Sequence, residues 1–245
     1  MTSPTRETQS EWSRPLAVAI DVVAVSIRDG HLTALLIQRA RAPFAGEWCL
    51  PGAFVGPTES LETAARRVVT TRAGLDDVYL EQLYSFGTPG RDPRGRVVTV
   101  AYIALVAPHI LASWARPEAA CFAELHVPWA GEVGGAVIPR VGGDKLVTGF
   151  DHAEILGVAV KRLRGKLLYT PIAYALLPNT FTLRALRRVY ECIAGRRFNK
   201  DSFRRTVLAS RELTATGRRE ARVGHRPAEL YRHTPSPAPE RPPHG

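Results

Sequence analysis

The stretch LPGAFVGPTESLETAARRVVTTRAGL, from Leu50 to Leu75, restricts the fold more tightly than any other part of the chain. A Pro-Gly loop leads into a short strand and then into a helix. Leu61, Ala64, Ala65, Val68 and Val69 recur at the helical period, so one stripe of that helix is buried. Ser60 or Thr58 can cap its start with a hydroxyl oxygen, and Gly74 can stop it. The spacing predicts a helix from about Ser60 to Ala73.

The flanks read as strands. LAVAIDVVAVSI (Leu16–Ile27), the turn Asp29-Gly30 and LTALLIQRA form a hairpin of buried strands. The segment RAPFAGEWCLPGAFV is a loop ending in a short strand. After the helix, VYLEQLYSFG and RVVTVAYIALV are two further strands joined by the basic loop TPGRDPRG. A long Pro/Gly-rich stretch then leads to DHAEILGVAVKRLRGKL, an amphipathic helix opened by Asp151. At Tyr169 the pattern changes. YTPIAYALLP reads as a short extended piece. TLRALRRVYECIAG is a helix with Thr182 as N-cap and Gly195 as stop, and NKDSFRRTVLAS a second helix capped by Asn199. ELTATGRREARVGHRPAELYRH alternates and turns like a two-stranded hairpin. Helix, extended piece, helix, helix, hairpin is the order of a winged helix-turn-helix. We expect a flexible arm at 1–15, an α/β domain at 16–166, a winged helix-turn-helix domain at 167–233 and a disordered Pro-rich tail at 234–245.

Charge sharpens this division. The net charge is +10, and from Lys161 to Arg232 basic residues are dense and acids few. Such an excess suits a polyanionic partner. No apolar run is long enough to cross a bilayer, and the N-terminus lacks the apolar core of a signal peptide. The three cysteines are far apart and odd in number, which fits neither a disulfide framework nor a zinc knuckle. These features predict a reduced, cytoplasmic protein without a membrane partner.

From Pro51 onward the sequence resembles the Nudix family. The frame of the family's box aligns without a gap on Glu59, Arg67, Gly74 and Leu75, and PFAGEWCLPG resembles the segment that precedes it. The resemblance covers roughly Ala17 to Ala107 and implies an α/β/α sandwich with a mixed sheet. Active members hold Mg²⁺ with glutamates that share a helix face, polarising a pyrophosphate and activating water. Here those positions are Val68, Thr71 and Arg72, and the opening Gly of the box is Ala53. Arg72 brings a cation near the metal's usual location. The Glu59–Arg67 pair, which braces the loop against the helix in the family, is kept. Glu62 reads as a solvated acid. The expectation is therefore a non-enzyme with no metal site, no catalytic residues and no required cofactor.

LLIQRA and SFGTPGRDPRGRVVTVAY resemble the ADP-ribose-binding branch of that family. Arg39, Arg91 and Arg94 are candidates to pair with a diphosphate through the guanidinium fork. Phe44, Trp48 or Phe86 are candidates to stack on adenine or cover a ribose. The structural alternatives are a solvated loop for Arg94 and Arg96 and a core position for Trp48 and Phe86.

FNKDSFRRTVLASRELTATG and HRPAELYR resemble the C-terminal half of the Nudix-related transcriptional regulators of NAD metabolism, the NrtR family. The resemblance then covers roughly residues 16–233. It implies a homodimer on a palindromic double-stranded DNA operator, ADP-ribose or a related nucleotide as effector, and repression of NAD-biosynthesis or salvage genes. On the second helix Phe203 and Val207 face the core, which leaves Asn199, Lys200, Ser202, Arg204 and Arg205 outward. Asn and Arg read base edges, while Lys and Ser favour phosphates. In the hairpin Arg218, Arg219, Arg222 and Arg226 are candidates for phosphate or minor-groove contact. Two other classes stay open: a weakly active ADP-ribose pyrophosphatase that recruits acids from elsewhere, and a nucleotide-binding module whose basic half docks a protein or RNA.

Overall fold

The computed structural model describes residues 16–221 and 227–234. The arm at 1–15, the tail from 235 and the candidate residues Arg222 and Arg226 lie outside the described residues.

Strand β1 (Ala17–Arg28) is buried from Ile20 to Ser26, as expected of a central strand covered on both faces. It pairs antiparallel with β2 (His31–Gln38) across the Asp29-Gly30 turn, where both residues have positive φ. The short strands β3 (Trp48–Cys49) and β4 (Gly52–Phe54) add to β2 and β1. Helix α1 (Leu61–Thr71) follows, capped by Ser60, whose hydroxyl accepts from the Thr63 N–H. After it come β5 (Tyr79–Phe86) and β6 (Val97–Leu105). β6 runs parallel to β1, so the sheet is mixed.

The stretch read from sequence as Pro/Gly-rich holds four elements. They are α2 (Pro108–Ala112), β7 (Ala120–His126), β8 (Ile138–Val141) and β9 (Asp144–Lys145). The sheet order is β5-β6-β1-β2-β7-β8-β9. β7 escapes a hydropathy reading because its buried positions include Ala120 and Ala123, small residues that raise no apolar signal.

Alternate residues of β1 and β6 face opposite layers. Ile20, Val22, Ala24, Val100, Tyr102 and Ala104 meet Ala64, Ala65, Val68 and Val69 of α1. Val23, Val25, Ala101, Ile103 and Leu105 meet α3 (His152–Lys166) through Ile155, Leu156, Ala159, Val160 and Leu163. This is the α/β/α sandwich.

Beyond α3 the segment expected to be extended is a 3₁₀ helix, Pro171–Leu176. Proline suits a first helical turn, and the buried Ile172, Ala173 and Leu176 follow a helical rather than an alternating period. Helix α4 (Leu183–Ala194) has Thr182 as N-cap and ends at Gly195 with φ +67. Helix α5 (Lys200–Ala209) starts at the Asn199 cap. Strands β10 (Leu213–Arg219) and β11 (Glu229–His233) form the hairpin, and Phe181 bridges to Tyr231. The result is a winged helix.

Candidate functional site

The box region is held by one ion pair. Arg67 Nε and Nη2 donate to the two oxygens of Glu59, both at 2.7 Å, and Nη2 also reaches the Phe54 carbonyl at 3.0 Å. Glu59 accepts in turn from the Gly56 N–H at 3.0 Å. The Arg67 guanidinium first, and the Gly56 N–H second, hold the Glu59 carboxyl at a pKa of about 2. The loop and β4 are thereby tied to the middle of α1.

The positions where the family's metal ligands stand do not fit a divalent cation. Val68 is fully buried against the sheet. The Thr71 hydroxyl donates to the Arg67 carbonyl at 2.7 Å. Arg72 is a cation and lines a cavity. Among the described residues, no three His, Cys, Asp or Glu side chains converge as a metal site.

That cavity, about 260 Å³, opens at the ends of β1, β2 and β4. Its charged lining consists of Arg39, Arg72, Arg91 and Arg94 with Asp21 and Asp92. Arg91 is only 4% exposed, and its Nε and Nη2 donate to both oxygens of Asp151 at 2.8 and 2.6 Å. An Asp21 oxygen stands 3.5 Å from the same Nη2. Arg94 donates to both oxygens of Asp92 at 2.9 and 2.6 Å. The acids therefore neutralise Arg91 and Arg94. Among the described residues, Arg39 and Arg72 have no carboxylate partner. Arg39 lies over the Phe150 ring at 5.1 Å and donates to the Pro43 carbonyl. Gly52 leaves room for this arrangement, since a Cβ there would stand 2.3 Å from Asp21 Oδ1.

His152 closes the floor. Its Nδ1 accepts from the Leu50 N–H at 2.9 Å, and Nε2 lies 3.7 Å from Asp21. Burial holds its pKa below the usual 6.5, so the ring is neutral and Nε2 carries the proton. A larger cavity, about 710 Å³, lies between β5 and the winged helix. Its acid, Glu81, already accepts from Lys166 and Arg162.

Of the sequence candidates, Arg39, Arg91 and Arg94 line the smaller cavity, where Asp151 occupies the fork of Arg91 and Asp92 that of Arg94. The aromatic candidates are not there. Trp48 and Phe86 pack against the α3-side core, and Phe44 stands behind Phe150, edge to face at 4.6 Å. Phe150 and Phe54 are the lining aromatics. Two signals pointed to the lining groups that were not proposed: a lone acid, Asp21, inside an apolar strand, and the polar pair Asp151-His152 heading an amphipathic helix.

On the winged helix, Phe203 and Val207 are buried, and Asn199, Lys200, Ser202, Arg204, Arg205 and Arg218 are exposed. Asn199 is constrained. Its side-chain oxygen accepts from the Asp201 and Ser202 N–H groups, so only its NH₂ is open and it cannot read adenine bidentately while it caps. Asp201 is also exposed at the head of this helix and was not singled out from sequence.

Comparison with known proteins agrees with this two-part construction. Residues 16–132 match the NUDIX domain, and residues 173–233 match the NrtR DNA-binding winged helix domain. The chain is 34% identical over 226 residues to the ADPR responsive transcriptional repressor NtrR of Acinetobacter baylyi, covering 91% of this chain and 84% of that protein. The chain belongs to the NrtR family. The crystal structure of Shewanella oneidensis NrtR is 33% identical with a TM-score of 0.72, covering 89% of this chain and 94% of that one. The same NrtR complexed with a 27mer DNA is similar at 31% identity and TM-score 0.72, covering 89% and 93%.

Proposed function

We propose that this protein is a DNA-binding transcriptional repressor of NAD-biosynthesis or salvage genes, released from its operator by ADP-ribose or a related nucleotide. It works in the cytoplasm as a homodimer on a palindromic site. The sensing unit spans residues 16–166 and the reading unit 167–233. One observation carries the ligand half of this reading. The cavity neutralises two of its four arginines internally and, among the described residues, leaves Arg39 and Arg72 without a carboxylate partner, two cations for the two charges of a diphosphate. Each can grip phosphate oxygens through the guanidinium fork. Phe150 and Phe54 offer faces for the rest of the nucleotide.

The same arrangement argues against hydrolysis. Every acid that lines the cavity is committed to an arginine, so none is placed to hold Mg²⁺ or to activate water. The relation to a repressor named as responsive to ADPR supports the DNA-binding half, together with a basic, solvent-facing α5. One short reading helix specifies few base pairs, and a two-fold dimer doubles the site.

The test begins by selecting duplexes from a randomised pool with the full-length protein. A palindromic consensus is expected. Bound to that duplex, the protein should be released when ADP-ribose is added. Enrichment of no sequence would overturn the regulator reading. Enrichment with no effect of millimolar ADP-ribose would overturn the effector.

A further inference from the structure

Helix α3 connects the charged cavity to the winged helix. At its head Asp151 holds the guanidinium of Arg91 through both carboxylate oxygens. Arg91 belongs to the loop between β5 and β6, which also brings Asp92 and Arg94 to the cavity. Asp151 occupies the N-cap position of α3, where an Asp ordinarily accepts from the first helix N–H groups, yet it makes no cap bond. Its carboxylate is committed to Arg91 instead. Asp151 thus has two competing sets of partners, the arginine of the cavity loop and the head of its own helix.

At the far end, about 20 Å along the axis, Arg164 ties two parts of the protein together. Its Nη1 donates to the carbonyls of Trp129 and Gly131 at 3.2 and 2.9 Å, and its Nε to the Ile193 carbonyl at 3.0 Å. The first two belong to the segment after β7, the third to the last turn of α4. The fit is close: at Gly195, just past α4, a Cβ would lie 2.7 Å from Arg164 Nη2. Between the two ends Ile155, Leu156, Ala159, Val160 and Leu163 are fully buried. A close-packed stripe moves as a body and does not yield piecemeal.

We propose that the Arg91–Asp151 pair is a latch opened by the ligand's diphosphate, and that α3 passes the release to the winged helix through Arg164. The proposal rests on the nucleotide-binding reading given above. A diphosphate presents the same paired oxygens to Arg91 as the Asp151 carboxylate does, so the two compete for one fork. The ligand favours the unlatched arrangement because only there does it gain Arg91, which is the differential affinity that any effector requires. Asp151, once displaced, can turn to the Ala153 N–H, since those of His152, Glu154 and Ile155 already have backbone acceptors. Arg164 is a positioning residue and touches neither ligand nor DNA.

The experiment measures operator affinity with and without saturating ADP-ribose, and ADP-ribose affinity by calorimetry, for wild type, Asp151→Asn and Arg164→Lys. The ratio of the two operator affinities is the coupling factor. Asp151→Asn keeps a hydrogen-bonding group but loses the charge that competes with the diphosphate. It should bind ADP-ribose at least threefold more tightly than wild type and operator more weakly, with a coupling factor closer to one. A merely structural role would weaken ligand binding. Arg164→Lys keeps the charge but cannot span three carbonyls. It should bind ADP-ribose within about twofold of wild type while its coupling factor falls at least fivefold. Thermal melts confirm that both variants fold, and if Arg164→Lys does not, Arg164→Gln takes its place. A wild-type coupling factor in either variant, or no gain of ADP-ribose affinity in Asp151→Asn, overturns the latch. A wild type that binds ADP-ribose with a coupling factor of one overturns it too, whereas a wild type that binds no ADP-ribose removes the reading on which it rests.

Discussion

Glu59 and Arg67 form a two-pronged ion pair, Nε to one carboxylate oxygen and Nη2 to the other, both at 2.7 Å. The pair survives on a helix whose metal-binding positions hold valine, threonine and arginine. It is therefore structural here, and it should report on acid stability. The Glu59 carboxyl has a folded pKa of about 2 against its usual 4.5. A depressed carboxylate contributes stability that is present above the usual value and lost as pH falls toward the folded one. Glu59→Gln should lower Tm at pH 7, and its deficit against wild type should shrink between pH 4.5 and pH 2. Thermal melts across that range check it; a deficit that stays constant would assign the acid dependence to other groups.

Hydrolysis of ADP-ribose with Mg²⁺ should be undetectable, and adding back the family's acids should not create it simply. Val68 is fully buried among Val22, Ala24 and Tyr102. A glutamate there would bury an unpaired charge at a cost of about 3 kcal/mol or more. Val68→Glu should lower Tm by several degrees without giving AMP release. EDTA-sensitive turnover in the wild type would show that the paired acids of the cavity are recruited after all.

Ligand binding should be independent of metal, because Arg39 and Arg72 supply the positive charge. ADP-ribose affinity is expected to be the same in EDTA and in Mg²⁺. Charge-assisted hydrogen bonds contribute about 1.5–3 kcal/mol, so Arg39→Ala and Arg72→Ala should each weaken binding by roughly ten- to a hundredfold. Arg94→Ala should cost less, since Asp92 already occupies its fork. Calorimetry on the three variants decides; equal losses at all three would mean that the Arg94–Asp92 pair opens on binding.

Much of this was legible in the sequence, and the failures have a common cause. Helix caps at Ser60, Thr182 and Asn199 and the stop at Gly195 are local signals, written in one or two residues, and all four appear in the structure. Arg39 followed from its place just past a buried strand. The partner that holds Arg91, Asp151, was not legible because it lies 60 residues away, a distance no local pattern spans. Trp48 and Phe86 look like stacking residues in a loop-rich segment, but only tertiary packing shows that they join the core. The 3₁₀ helix at Pro171–Leu176 was missed for the opposite reason: about two turns are too short for periodicity to separate it from an extended run.

The recognition surface can be resolved residue by residue. Successive residues of a helix are about 100° apart, and Phe203 and Val207 face the core. Arg205 then stands nearly opposite that buried stripe. Arg204 lies to one side, near Tyr231 of β11, whose phenol is pushed up by its hydrogen bond to Glu229 and by burial, with the Arg204 charge opposing them. Arg205 is thus the better placed to reach a guanine edge, and Arg204 to lie along the backbone. Loss of a base-reading arginine should cost about 1–3 kcal/mol on the selected site and much less on random DNA. Loss of a phosphate contact should weaken both duplexes about equally and flatten the salt dependence by about one unit of slope. Arg205→Ala should show the first behaviour, Arg204→Ala and Arg218→Ala the second. Asn199→Ala should act through the fold, since its oxygen caps α5, and lower stability by the cost of a lost cap, about 1 kcal/mol. Titrations of the four variants on selected and scrambled duplexes at two salt concentrations separate these outcomes. If Arg205→Ala loses affinity equally on both duplexes while Arg204→Ala loses it only on the selected one, the helix enters the groove rolled toward β11 and the two roles exchange.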